Sequence, residues 1–172
     1  MSRIIGVDPG KTGALALIDT QAWTIAITDM PQEPGRGSKV AVSPAGVARA
    51  FDAARPDHAF IEDVWSSPQQ GVASAFNFGR SLGILEGACA SRAILTKVRP
   101  QEWKTLTKTP KDKNEARRRA MQVFPCAYDL FARARDDGRA EAALIALFAV
   151  LQVTRAAPPR PLKLTDWPAG DR

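Results

Sequence analysis

The chain has 172 residues, 45% of them hydrophobic and 24% charged, which is enough for one domain with a buried core. Its formal net charge of +6 favours an anionic partner, although charge by itself does not establish one. Cys89 and Cys126 match no zinc-ligand spacing and are too few for a disulfide framework. The sequence has neither a signal peptide nor a run of ~20 apolar residues, so we expect a soluble cytoplasmic protein without a membrane partner.

Short apolar runs separated by turns predict three strands of an antiparallel meander. The first run, residues 3–7, ends at the turn Asp8-Pro9-Gly10, and residues 13–18 and 23–28 follow it. Residues 31–42 combine proline, glycine and basic residues without apolar periodicity, which predicts a mobile loop.

The rest of the chain predicts helices that alternate with short strands. The helices are expected at residues 45–54 after the cap Ser43, at 71–91, from the cap Asp112 to about Val123, and at 139–153; the strands are expected at 59–61 and Ile94–Val98. The helix at 71–91 is rich in small residues and is expected to be buried on two sides.

This order of elements predicts an α/β fold. A mixed sheet would begin with the antiparallel meander and carry helices on both faces. Residues 1–155 would form one domain, and the proline-rich residues 156–172 would form an extended or disordered tail.

Acidic residues stand at the ends of three predicted elements. Asp8 ends the first strand, Glu62 ends the strand after the first helix, and Asp137 and Glu141 open the last helix four residues apart, on one face. Clustered carboxylates repel one another unless a cation neutralises them, and their hard oxygens suit Mg²⁺ or Mn²⁺. The sequence therefore predicts a divalent-metal site that could hydrolyse a phosphodiester, with Asp63 as a weaker alternative to Glu62.

A basic segment and one aromatic residue are candidates for contact with DNA. Trp65 follows the second acidic strand and could stack on unpaired bases. The cations expected to contact phosphates are Lys104, Lys108, Lys111, Lys113, Arg117 and Arg118.

Several motifs together resemble the RuvC family of Holliday junction resolvases. IIGVDPGKTGALALID resembles the family's opening strand and turn, FIEDVW its second acidic motif, and GRAEAALIA its terminal acidic helix. VRPQEWK and KDKNEARRRAMQVFP resemble the version found in phages and prophages. The resemblance covers residues 3–153 and implies an RNase H-like fold, a homodimer, a divalent metal and paired nicks in four-way and other branched DNA during recombination and repair.

The last acidic motif departs from the family pattern. The family commonly places its final two ligands three residues apart, but Gly138 stands three residues before Glu141. Asp137 stands four residues before it and Asp136 five. We prefer Asp137 as the ligand, and the sequence leaves the choice between these two aspartates open.

Other functions fit parts of the sequence. The turn GVDPGKTG could also cradle a phosphate in an actin-like ATPase, although that fold ordinarily needs two such domains. An RNA-processing nuclease of the same fold and a protein that binds branched DNA without cutting it are the remaining alternatives. No small-molecule cofactor is expected, and the small-residue helix at 71–91 is the candidate dimer seam.

Overall fold

A computed structural model describes residues 1–35, 39–66, 69–159 and 162–170, and it begins with the predicted antiparallel meander. Strands β1 (Arg3–Asp8), β2 (Ala14–Asp19) and β3 (Thr24–Asp29) pair in succession. The turn after β1 is closed by the Gly13 N–H, which donates to the Gly10 carbonyl at 3.1 Å, and Gly10 has a φ of +118°. That backbone conformation favours glycine, so the turn depends on this residue.

The main sheet is mixed, as predicted. Strands β4 (Gln32–Pro34) and β5 (Val40–Val42) form a separate hairpin, and the other strands of the main sheet in the described residues are β6 (His58–Glu62), β7 (Ile94–Val98) and β8 (Lys163–Leu164). Strand β6 pairs in parallel with β1, β7 with β6, and β8 with β3. The strand order is β7-β6-β1-β2-β3-β8, which places β1 and β6 side by side near the centre.

Helices cover both faces of this sheet, which confirms the predicted architecture. They are α1 (Pro44–Ala54) and α2 (Val72–Arg92) on one face, and α3 (Pro100–Thr107), α4 (Lys113–Val123) and α5 (Asp137–Thr154) on the other. Ser43 caps α1 by accepting from the Gly46 N–H at 3.1 Å, and Asp112 caps α4 by accepting from the Glu115 N–H at 3.0 Å. Both predicted caps are thus confirmed.

Helix α5 lies directly on β1. A Cβ atom on Gly6 would stand only 2.4 Å from the Ala142 carbonyl oxygen and from the Ala146 nitrogen. Real Cβ contacts are longer than this, so the close approach needs glycine on the strand and small residues on the helix. The nearly continuous apolar sequence of α5 reflects burial on most of its sides.

The structure differs from the prediction of a mobile loop at residues 31–42. Strands β4 (Gln32–Pro34) and β5 (Val40–Val42) pair as an antiparallel hairpin, while residues 36–38 lie outside the described part of the chain. Strands of three residues are too short to show alternation in the sequence. Helix α3 and two 3-10 segments, Pro125–Phe131 and Ala134–Asp136, also went unpredicted.

Helix α2 is not buried on two sides, contrary to the prediction. Its buried residues, Leu85, Ala88 and Cys89, all lie in its C-terminal half, whereas Val72 is 87% exposed and Phe76 71% exposed. Small residues permit close packing, but they do not specify whether the partner surface belongs to the same chain.

The C-terminal segment carries structure within its described part. Strand β8 pairs with β3 and forms an edge of the main sheet, Leu162 is buried, and the Trp167 indole donates to the Ala50 carbonyl of α1 at 3.3 Å. The segment packs on the rest of the chain at these positions. No helix in the described ranges is long and apolar enough to cross a membrane.

Candidate active site

Two of the predicted acids stand at the ends of neighbouring parallel strands. Val7 of β1 is paired with Ile61 of β6, so Asp8 and Glu62 are the next residues along two adjacent strands. Val7 and Ile61 belong to the buried cluster under α1 and α2. Because side chains alternate along a strand, Asp8 and Glu62 face the opposite side, which α5 covers.

The first turn of α5 brings the other two predicted acids to the same place. A Cβ atom on Gly138 would lie 2.5 Å from the Thr12 carbonyl oxygen and 3.0 Å from Asp8 Oδ2. The helix therefore rests against the turn that follows β1, and Asp137 and Glu141 enter on either side of this contact, one helical turn apart. The position where the resembled family places a ligand has no room here for a side chain.

The electrostatics indicate that the four carboxylates are close neighbours. Burial raises the pKa of Asp8 well above its ordinary value, and repulsion from Glu141, Glu62 and Asp137 raises it further, while Lys113 opposes the shift. Burial also raises the pKa of Glu62, despite the hydrogen bond that this carboxylate accepts from Trp103. The cluster is thus a concentration of negative charge that favours protons or cations.

Helices α3 and α4 present N–H donors to three of these acids. The Trp103 Nε1–H donates to Glu62 Oε1 at 2.9 Å, and Lys104 Nζ lies 3.2 Å from Glu141 Oε1. Lys113 of α4 forms an ion pair with Asp137, which raises the pKa of Lys113. Among the described residues, no hydrogen bond engages the Asp8 carboxylate.

The two alternative acids face elsewhere. Asp63 pairs with Lys97 Nζ at 3.1 Å, on the side of the sheet away from Asp8. Asp136 pairs with Arg133 at 2.9 Å and with Arg139 at 3.7 Å. Although burial opposes it, the pKa of Asp136 is lowered because Arg133 donates to it. Of the aspartates that open α5, Asp137 is therefore the one beside Asp8.

The donor set suits a hard divalent cation in its chemistry. Carboxylate oxygens are the ligands that Mg²⁺ and Mn²⁺ prefer, and a cation would relieve the repulsion at Asp8. Within the described ranges, no three acidic, histidine or cysteine side chains are grouped tightly enough to hold one ion together. Asp137 and Glu141 each pair with a lysine instead, so these two ion pairs must open before both side chains can bind a cation.

The predicted DNA-contacting cations fall into two groups. Lys104 and Lys113 belong to the acidic cluster, and Arg117 donates to the Phe131 and Ala132 carbonyls at 3.0 and 3.1 Å and to Asn114 Oδ1 at 2.7 Å. The remaining cations are exposed and form no hydrogen bond or ion pair within the described chain: Lys108, Lys111 and Arg118. Trp65 is 86% exposed, as expected for a side chain that stacks on a ligand.

A groove of about 1110 Å³ opens beside the turn that follows Asp8, between the β4–β5 hairpin and α2. Its lining includes the cations Lys11, Lys39 and Arg80 and the apolar side chain of Phe76. No carboxylate lines it in the described part of the chain. The groove therefore places three cations beside the turn that follows Asp8.

The thiols take no part in this site. Burial raises the pKa of Cys89 to about 12, and burial also raises the pKa of Cys126, so both stay protonated at neutral pH. The sequence does not identify Trp103 as part of the site, because a single tryptophan is ordinarily a core residue. Its place beside Lys104 was the available signal.

Comparison with known proteins supports the fold. No protein-family model matches the chain, and no curated protein matches it in sequence. Solved structures do match, among them Thermus thermophilus RuvC in complex with Holliday junction substrate, at a TM-score of 0.60 and 18% identity, covering 92% of this chain and 99% of that one. The chain has the fold of RuvC. A second T. thermophilus RuvC structure matches at a TM-score of 0.60 and 18% identity, covering 91% of this chain and 99% of that one.

The RuvC fold is also shared with a viral protein. The fowlpox virus Holliday junction resolvase matches at a TM-score of 0.51 and 16% identity, covering 88% of this chain and 99% of that one. These proteins are matched over nearly their full length, so the RuvC fold accounts for most of the chain. The identities are low, so the likeness concerns the fold, and residue roles depend on the site described above.

Proposed function

We propose that this protein is a metal-dependent endonuclease that resolves four-way and related branched DNA by paired nicks. The observation that carries the proposal is the convergence of Asp8, Glu62, Asp137 and Glu141 at one edge of a RuvC fold. Structures with this fold include one in complex with a Holliday junction substrate and one of a viral Holliday junction resolvase. The exposed cations near α3 and α4, together with the cations of the groove, attract a DNA backbone.

The chemistry assigned to this site is hydrolysis of a phosphodiester. A bound Mg²⁺ or Mn²⁺ would supply positive charge for the reacting phosphate and lower the pKa of a water. Asp8, Glu62, Asp137 and Glu141 would hold it, and the Asp8 carboxylate, with no hydrogen-bond donor in the described chain, is free to do so. Lys113 is 71% exposed at its side chain, so its Nζ can exchange Asp137 for a DNA phosphate.

The DNA contacts combine phosphate-binding cations with one stacking side chain. Lys108, Lys111 and Arg118 are exposed and unpaired within the described chain, and Lys104 and Lys113 stand at the acids themselves. Arg117 stays a predicted contact, although its guanidinium already bonds to its own chain. The exposed Trp65 would stack on a base unpaired at the junction centre.

The proposed enzyme acts as a homodimer, because two matched nicks need two sites. Val72 and Phe76 are exposed on α2, and added Cβ atoms at Gly79 and Gly83 would meet nothing within 4 Å. An apolar, small-residue face of this kind permits close helix packing between two copies. A Phe76→Glu variant that elutes as a monomer in light-scattering chromatography, beside a dimeric wild type, supports this seam, and a monomeric wild type contradicts it.

The deciding experiment is cleavage of a labelled four-way junction, a matched duplex and an RNA–DNA hybrid, with Mg²⁺, Mn²⁺ or a chelator. We expect paired, metal-dependent nicks confined to the junction. Asp8→Asn should abolish cleavage and retain junction binding. Cleavage of the hybrid would indicate an RNA-directed nuclease, binding without cuts would indicate a junction-binding protein, and ATP hydrolysis in the same samples would indicate the phosphate-binding alternative.

The cellular setting is also part of the proposal. The motifs VRPQEWK and KDKNEARRRAMQVFP resemble the phage and prophage version of the family, and they support a protein encoded by a phage or prophage and acting in the cytoplasm of a bacterial host.

A further inference from the structure

Helix α3 places two consecutive side chains on two different acids of the cluster. Trp103 donates its indole N–H to Glu62 Oε1, and Lys104 pairs with Glu141. We infer that Trp103 is a positioning residue, whose N–H fixes one oxygen of Glu62 so that the other is directed to the divalent cation. This inference rests on the proposed function, because it assigns Glu62 to a metal.

The contact between Trp103 and Glu62 is buried and short. Trp103 is 0% exposed, Glu62 is also buried, and Nε1 and Oε1 are 2.9 Å apart. A buried indole N–H needs an acceptor, and a buried carboxylate needs donors or a cation. Each group therefore satisfies the other, and Glu62 cannot turn away without leaving the indole N–H without a partner.

Hydrogen bonds within α3 and from α4 fix the backbone that carries the indole. The Thr107 hydroxyl donates to the Trp103 carbonyl at 2.7 Å and lies 2.7 Å from the Thr109 hydroxyl. Arg119 of α4 donates to the Thr107 carbonyl at 2.9 Å. These bonds join the end of α3 to α4, so the donor that holds Glu62 belongs to a rigid part of the molecule.

A neutral donor suits this role better than a charged one. Lys104 and Lys113 place ammonium charges on Glu141 and Asp137, and those charges would oppose a metal ion. The indole of Trp103 orients Glu62 without adding a charge. In the described chain no hydrogen bond occupies the second oxygen of Glu62, which leaves Oε2 for the cation.

Manganese binding to the full chain, measured by titration calorimetry, tests the inference without relying on cleavage. Trp103→Phe removes the N–H and keeps an aromatic ring, and Trp167→Phe is the matched control, because the Trp167 N–H donates to a carbonyl of α1 instead. We expect Trp103→Phe to weaken Mn²⁺ binding about tenfold and Trp167→Phe to change it by less than about twofold.

The same measurement with Glu62→Gln separates positioning from general damage. If Trp103 acts through Glu62, then adding Trp103→Phe to Glu62→Gln should weaken Mn²⁺ binding no further. Unchanged binding in Trp103→Phe, or an equal loss in both backgrounds, would overturn the inference. If Trp103→Phe does not fold, benzothienylalanine inserted at position 103 replaces it, since this residue keeps the indole shape and lacks the N–H.

Failure of the proposed function has a different signature. A wild-type chain that binds Mn²⁺ but does not cut junctions would overturn the nuclease proposal, while the calorimetric comparison would still decide the role of Trp103. A wild-type chain that binds no Mn²⁺ would overturn both.

Discussion

Among single residues, Asp8 shows how the proposed active site opposes the stability of the fold. Its pKa is raised well above the ordinary value by burial and by the neighbouring acids. The folded state therefore favours a protonated Asp8, whereas the unfolded state allows it to ionise above its ordinary pKa. Stability is lost as the pH rises from the ordinary pKa towards the raised one, and it is regained on acidification.

Asp8→Asn should therefore stabilise the metal-free protein at neutral pH. We expect a gain in the free energy of unfolding near pH 7, because the folded state then no longer contains a carboxyl group whose pKa is raised by burial and by neighbouring acids. The gain should nearly vanish near pH 3, about one unit below the ordinary pKa of an aspartate, where Asp8 is largely protonated in both states. Urea unfolding in chelator at the two pH values measures the difference, and an equal gain at both would show that charge is not its cause.

The two aspartates that open α5 should respond differently to amidation. Asp136 is 3% exposed at its side chain, accepts hydrogen bonds from Arg133 and lies 3.7 Å from Arg139, so Asp136→Asn should lower the free energy of unfolding by about 2 kcal/mol. Asp137→Asn should leave stability nearly unchanged and strongly reduce metal-dependent cleavage. Thermal unfolding and junction cleavage of both variants make the comparison, and the reverse pattern would identify Asp136 as the functional residue.

Among the elements, α5 should tolerate larger side chains poorly in its first turn, because that turn contacts the backbone beside Asp8. Gly138→Ala would place a Cβ atom 2.5 Å from the Thr12 carbonyl oxygen, and backbone cannot move aside as a flexible side chain can. We expect a loss of about 1–3 kcal/mol in the free energy of unfolding and reduced cleavage, because the helix must shift away from Asp8.

Gly87→Ala in α2 is the control for this substitution. An added Cβ atom at Gly87 meets nothing within 4 Å, so alanine should stabilise the helix by about 0.5–1 kcal/mol. A Gly138→Ala variant that unfolds at the wild-type temperature would show that α5 does not rest on the turn after β1.

The elements that the sequence predicts well are those whose signals are local. The apolar runs of β1 and β2, the cap at Ser43 and the apolar length of α5 each predict an element from its own residues. The β4–β5 hairpin lacks such a signal, because each of its strands has three residues and is held mainly by its partner.

The site residues likewise separate into those with a local sequence signal and those without one. Strand ends and helical spacing are local features, and they identify Asp8, Glu62, Asp137 and Glu141 as candidates from the sequence alone. The choice of Asp137 over Asp136 depends on where Arg133 and Arg139 lie, and the contact from Trp103 joins residues 41 positions apart in the chain. Such contacts follow from tertiary packing, which no local pattern of residues encodes.

For the whole molecule, which has a net charge of +6, the cationic side chains differ in whether they are paired within the protein or face solvent. Lys104, Lys113 and Arg117 neutralise acids or bind carbonyls of their own chain. Lys108, Lys111 and Arg118 face solvent and are unpaired in the described chain. Only these solvent-facing cations can bind DNA phosphates without breaking a hydrogen bond or ion pair inside the protein.

Arg117 and Arg118 are neighbours that test this division directly. Arg118→Ala should weaken junction binding and reduce the slope of log affinity against log salt concentration by about one, because one phosphate contact is lost. Its stability should be unchanged, since the Arg118 side chain is exposed. Arg117→Ala should instead lower the free energy of unfolding by about 1–2 kcal/mol, because its bonds to the Phe131 and Ala132 carbonyls and to Asn114 disappear. Binding isotherms at several salt concentrations, with urea unfolding of the same samples, measure both effects. An equal reduction of the salt slope in the two variants would show that Arg117 also contacts a phosphate. An unchanged salt slope in Arg118→Ala would show that the DNA binds another face of the protein.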